Sequence, residues 1–193
     1  MTKWLSHRMV ERGIIKEEEQ ELYQFGIRNG MILLLNVVTA LVIGLLTEQL
    51  AVVAVFTLSF MVLRSYTGGY HSDSRIFCYL GSNLVLLVPV YTQAVFYKTS
   101  LAWLLAVLLV SAGIIFLLSP MHSKNRKLDK GEQKHFGRKA RLIAALELAV
   151  LGILWHAGQI PYAYAVYTGI CITALFMLVG KAQLWIQSHT ENG

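Results

Sequence analysis

The sequence predicts an all-α integral membrane protein: six transmembrane helices preceded by an amphipathic cytoplasmic N-terminal segment. Three observations predict it. Hydrophobic residues make up 55% of the 193 and charged residues only 15%, with a mean hydropathy of +0.54, whereas soluble domains carry about 25% charged residues. The charges are clustered, leaving apolar stretches of roughly 14 to 21 residues, near the ~20 that cross a bilayer as a helix. All but one of the 17 basic residues fall on one side of those stretches. A water-soluble globular enzyme is excluded. Two cysteines exclude a disulfide scaffold, and with no CxxC or Cys/His zinc spacing no metal or other cofactor is expected.

The whole chain reads as one membrane domain, with a cytoplasmic segment over 1–30, a six-span bundle over 31–180 and a cytoplasmic tail over 181–193. The first thirty residues are too polar for a cleavable signal peptide, because no apolar core follows the early Lys and Arg residues. In that segment Glu17, Glu18, Glu19 and Glu21 neighbour Ile15, Leu22 and Phe25, which are expected on one helical face. Trp4, Leu5 and Met9 sit among Arg8 and Arg12. Such a segment is either an anchor in the headgroup layer or a docking surface for a partner helix. Gly26 and Gly30 are expected to break the helix before the first span.

Span one covers 31–47, span two 50–63, span three 79–97, span four 101–119, span five 142–157 and span six 162–180. Each is expected to be helical, since lipid offers the backbone no hydrogen-bond partner. Span two is short for the bilayer and suits thinned lipid or shielding by its neighbours. Six spans put both termini on one side, together with Arg64, Arg75, Lys181 and the basic run from Lys124 to Arg141. Only Lys98 falls opposite. The positive-inside rule therefore predicts a multi-pass protein of the cell membrane with both termini cytoplasmic. The net charge of +6 records this topology, and no nucleic-acid partner is expected.

The outer connections, near Glu48, Lys98 and 158–161, are short turns. The polar chemistry lies in the inner connections, 64–78 and 120–141. The first reads Arg64-Ser65-Tyr66-Thr67-Gly68-Gly69-Tyr70-His71-Ser72-Asp73-Ser74-Arg75-Ile76-Phe77-Cys78. A thiol is a poor nucleophile until ionised, and an adjacent imidazole can remove or hold its proton. Arg64, Arg75 and a helix N-terminus near Cys78 would favour the thiolate. On one straight helix the Cα atoms of His71 and Cys78 would stand ~10 Å apart, too far for a contact of about 3 to 3.5 Å. The backbone must fold between them if they pair, and Gly68-Gly69 permits a turn there. Read on its own, a cysteine at a helix start is more often a packing residue than a catalytic one, and a histidine in such a loop is more often merely solvated.

The run Arg-x-Tyr-Thr-Gly-Gly-Tyr-His, followed by six residues and Cys, resembles the signature of the AgrB (accessory gene regulator protein B) family. These are membrane cysteine peptidases that process quorum-sensing peptide precursors in Gram-positive bacteria. The resemblance extends over nearly the whole chain and includes Ser119-Pro120 and Asn125-Arg126-Lys127-Leu128 in the basic connection. It implies that Cys78 is the nucleophile and His71 the general base, with Arg64, Gly68 and Gly69 supporting them. Asp73 lies outside the pattern. Backbone N–H groups at the start of span three are the natural oxyanion donors, with Ser82 and Asn83 behind them.

The resemblance also implies a partner. This is a propeptide with an amphipathic leader, a small core holding a cysteine or hydroxyl, and an acidic tail, processed by a homodimer. Lys124, Arg126 and Lys127 then have two readings, topology and binding of anionic membrane lipids, or capture of the acidic tail. Glu147 in span five is costly at membrane depth and calls for a partner or an interfacial position. Asn36, Asn83 and Gln93 are expected to bond between helices. Cys171 reads as a packing residue, and His122 and His135 have no metal-ligand spacing. Without the family, the rival is a non-catalytic peptide exporter or membrane scaffold. No internal repeat or paired interrupted spans support transport.

Overall fold

The computed structural model describes residues 2–68, 75–121 and 130–190, and among these there is no β-strand. The helices are α1 (Thr2–Glu11), α2 (Gln20–Leu46), α3 (Leu50–Thr67), α4 (Arg75–Tyr91), α5 (Gln93–Lys98), α6 (Leu101–Leu118), α7 (Lys130–His156) and α8 (Ile160–Thr190), with a 3₁₀ turn at Glu17–Glu19. Two compact units divide the chain, Met1–Thr39 and Ala40–Gly193.

In the first unit, the indole of Trp4 lies under the guanidinium of Arg8 at 5.0 Å. Ile15 is buried in the turn before the next helix, while Leu22 and Phe25 are 70% and 56% exposed on α2. The single face expected for these three residues therefore does not form. The Lys16 N–H donates to the Glu19 carboxylate at 3.3 Å and starts the helical run. The break expected at Gly26 and Gly30 does not occur, because α2 passes through both. A glycine costs about 1 kcal/mol in a helix, too little to interrupt 27 residues of otherwise helix-compatible apolar chain.

In the second unit α8 is the central post. Of its apolar window 67% is buried, against 11% for α6. It packs against α3, α4, α5, α6 and α7, and α7 also packs against α3. Ala163, Ala165 and Ala174 on α8 are buried, and such small residues let helix backbones approach closely where lipid supplies no hydrophobic drive between helices. Gly169 marks the tightest approach: a Cβ there would meet the Ser59 hydroxyl at 2.5 Å. Ser59 in turn donates to Glu147 Oε2 at 2.7 Å. Glu147 thus has its partner on another helix.

Among the described residues, four helices are long and apolar enough to cross a membrane: Glu17–Leu46, Leu50–Thr67, Leu101–Leu118 and Ile160–Ile186. The regions expected as spans three and five are built differently. Region three is split into α4 and α5 at Thr92, beyond Pro89. The carbonyl of Val88 accepts from the Thr92 N–H at 3.0 Å and from its hydroxyl at 2.8 Å, and Tyr164 of α8 meets that hydroxyl at 2.5 Å. Irregular backbone at membrane depth survives only with such partners. Region five is the apolar part of α7, whose first twelve residues, 130–141, are charged helix where a connection was expected.

Asn36, Asn83 and Gln93 do not make the interhelical bonds expected of them. The side-chain oxygens of Asn36 and Asn83 are buried without a partner among the described residues, and Gln93 donates to Tyr97 of its own helix at 3.4 Å.

Candidate functional site

The Thr67 end of α3, the Leu118 end of α6, the first third of α7 and the Phe176 turn of α8 meet at one end of the unit. Arg64 stands in the last turn of α3, where a cation complements the helix dipole. Its Nη1 donates to the Gly68 carbonyl at 2.9 Å, and its guanidinium lies 5.0 Å from the centre of the Phe176 ring, within cation–π range. One side chain thus fixes both the end of α3 and its distance from α8.

Gly68 follows with φ +72° and ψ −153°, a region essentially reserved for glycine. A Cβ there would also meet the Met121 carbonyl oxygen at 2.7 Å. The N–H of Met121 donates to the Thr67 carbonyl at 2.9 Å, supplying one of the partners that the last turn of a helix lacks. Thr67 itself is fully buried. Met121 follows the cis Ser119-Pro120 bond, and Pro120 rests on α7, where a Cβ at Gly137 would meet its ring at 3.0 Å. Arg141 of α7 donates to the Phe116 carbonyl at 3.1 Å. Tyr66 faces Phe136 at 6.3 Å and lies under Lys139 at 5.9 Å.

Of the residues singled out in the sequence, Arg64 and Gly68 are thus brought into one hydrogen-bonded turn. Gly69, His71, Asp73, His122, Lys124, Arg126 and Lys127 lie outside the described residues. Cys78 occupies the fourth position of α4, whose helix begins at Arg75, and its side chain lies outside the described residues. That position belongs to the first turn, where backbone N–H groups have no intrahelical acceptor and no acidic residue intervenes. His135 is described and makes an edge contact with Phe136 at 5.9 Å.

Three contributors escaped the sequence reading. Phe176 looks like any apolar residue of a span, Met121 acts through its backbone, and Gly137 resembles a loop glycine. Pro120 and Gly68 carried a local signal as residues with restricted or special backbone, and Arg64 as a cation beside a glycine pair.

The family model for accessory gene regulator B matches residues 1–178. The chain belongs to the AgrB family. Among its relatives, the accessory gene regulator protein B of Staphylococcus intermedius is 26% identical over 79% of this chain and 80% of that protein. A putative AgrB-like protein of Clostridium perfringens strain SM101 is 22% identical over 74% of this chain and 69% of its own length. No solved structure matches. AgrB proteins are membrane-associated, in keeping with the long apolar helices here, and membership supports a role in quorum-sensing peptide processing.

Proposed function

We propose that this AgrB protein is a membrane cysteine endopeptidase that removes the acidic C-terminal tail of an autoinducer precursor and lets the remainder cyclise. Cys78, as thiolate, attacks the carbonyl that closes the core. The peptide C–N bond breaks, His71 gives its proton to the leaving amine, and leader plus core stay on Cys78 as a thioester. The precursor's own thiol, or a hydroxyl, then attacks that thioester, its proton passes to His71, and Cys78 leaves as thiolate with a thiolactone or lactone ring formed. Exchange between thiols of similar basicity is near balance, so removal of tail or product drives the sequence.

The observation that carries this reading is the turn Arg64–Gly68 at the end of α3. One end of the family motif is fixed by Arg64 and Gly68, and the other ends in the first turn of a helix at Cys78, where the dipole favours a thiolate. Three residues of chain span at most ~11 Å, which bounds how far His71 can stand from Gly68. The further parts of the proposal are six spans with both termini and the site cytoplasmic, a single membrane domain acting as a homodimer, and Lys124, Arg126 and Lys127 receiving the acidic tail.

The test is expression of Cys78→Ala and Cys78→Ser beside wild type with a cognate precursor, read by mass spectrometry. Wild type releases the tail and carries an acyl adduct on Cys78, and Cys78→Ala does neither. Tail release by Cys78→Ala would overturn the proposal.

A further inference from the structure

Among the described residues outside the helices, one backbone hydrogen bond joins segments distant in sequence, from the Met121 N–H to the Thr67 carbonyl. Its surroundings are built around it. The segment 119–121 has two backbone donors, because Pro120 has none. Ser119 gives its own to Ile115 at the end of α6, at 3.1 Å, and Met121 gives its own to the end of α3, at 2.9 Å. The segment is therefore a bridge between two helix ends. It is pressed from behind by α7, since a Cβ on Gly137 would stand 3.0 Å from the Pro120 ring and 3.6 Å from the Ser119 carbonyl oxygen. In front, the Met121 carbonyl fills the space where Gly68 has no Cβ. Gly68 is held from its other side by Arg64.

We propose that Pro120 and Met121 are positioning residues for the catalytic histidine. The Thr67–Met121 joint fixes the place and direction in which the chain leaves α3 at Gly68, three residues before His71, and so sets the approach of the imidazole to Cys78. The inference rests on the cysteine-peptidase reading above. It adds that the segment 119–121 acts on that chemistry through one backbone donor and not through a reacting side chain. The basic connection continues from Met121, so the segments bearing the proposed base and the proposed tail-binding residues start from the same joint.

The test needs no precursor. The full chain in membranes is treated with iodoacetamide across a range of pH, and the rate of Cys78 alkylation is followed by mass spectrometry of its peptide, in the folded, membrane-inserted fraction only. If His71 holds the thiol proton, His71→Ala raises the pH at which alkylation sets in by about one unit, roughly a tenfold loss of thiolate near neutrality. Met121→Pro, which deletes the N–H, is expected to shift the profile most of the way toward that of His71→Ala. Gly137→Ala keeps α7 helical and pushes on Pro120, and it is expected to give a smaller shift in the same direction. Met121→Ala keeps the donor and is expected to shift the profile less than Met121→Pro does. Should Met121→Pro fail to fold, Gly137→Ala alone decides. A His71→Ala shift with no shift in the joint variants overturns this inference and leaves the peptidase reading standing. Identical profiles for wild type and His71→Ala overturn both.

Discussion

Ser59 on α3 donates its hydroxyl to the Glu147 carboxyl on α7 at 2.7 Å, against the backbone of Gly169 on α8. Three helices thus share one polar contact. Ser59→Ala removes the donor and leaves a carboxyl group without a partner, which costs about 1–3 kcal/mol. Gly169→Ala reaches the same end by displacing Ser59. Glu147→Gln retains an acceptor and is expected to be milder than either. Thermal unfolding in detergent, followed by helical circular dichroism, orders the three.

Arg64→Lys keeps the positive charge but not the planar group that reaches Gly68 while lying over Phe176. Tail release is expected to fall about tenfold, equivalent to ~1.4 kcal/mol at the barrier, with normal membrane insertion. Phe176→Leu removes only the ring face, a loss of roughly 0.5–2 kcal/mol, and is expected to lower activity less. Activity per inserted molecule separates the two.

Gly68→Ala places a Cβ against the Met121 carbonyl at 2.7 Å and in a backbone region that alanine avoids. A strained residue of this kind costs of order 1–3 kcal/mol. The chain relieves it by giving up the turn, so tail release is expected to be lost while α3 and α8 remain inserted. Limited proteolysis of membranes reports the insertion, and mass spectrometry reports the tail.

Changing Lys124, Arg126 and Lys127 together to Glu is expected to weaken capture of an acidic tail. The effect should appear as a raised KM that shrinks in high salt, because exposed charges are screened over ~8–10 Å. A precursor with a neutralised tail should lose the difference. Unchanged kinetics with the topology intact would mean that these charges serve orientation alone.

Reporter fusions test the topology. A fusion after Lys98 is expected to be active as an external reporter and inactive as a cytoplasmic one. Fusions at the N-terminus, after Lys139 and after Lys181 should behave in the opposite way. An external N-terminus would remove both the six-span reading and the cytoplasmic site.

Helical class, the ends of α6 and the starts of α3 and α8 were legible because continuous apolar runs with few prolines leave the backbone one way to satisfy itself in lipid. Helices α3 and α8 run on to Thr67 and Thr190, past the ends expected at 63 and 180, so the expected tail is in part helix. The split of α4 from α5 was less legible. Pro89 alone does not end the helix, and the Thr92–Tyr164 contact that accommodates the break comes from a residue far along the chain. The helix over 130–141 was hidden by its glycines and charges, although Gly137 is small because Pro120 occupies the space beside it. At the site, Arg64 and Gly68 stood out as chemically unusual residues in a glycine-bearing run. Phe176 and Met121 did not, since their contributions are a ring face and a peptide N–H that become significant only when distant segments are assembled.

The length of α7 has a consequence of its own. Twenty-seven helical residues rise about 40 Å, whereas the hydrocarbon layer is ~30 Å thick, so a helix standing near the membrane normal must project a rigid stub into water. The stub holds Lys134, Arg138 and Arg141, which are exposed and recur at the spacing that lines up side chains along one edge of a helix. Cations held in a row on one helix act as a graduated scale, so an anionic strand lying along them would feel steps of about 4.5 to 6 Å rather than a blurred cloud. For the acidic-tailed precursor proposed above, the reach of its negative charges, and not merely their number, would then govern how well it fits.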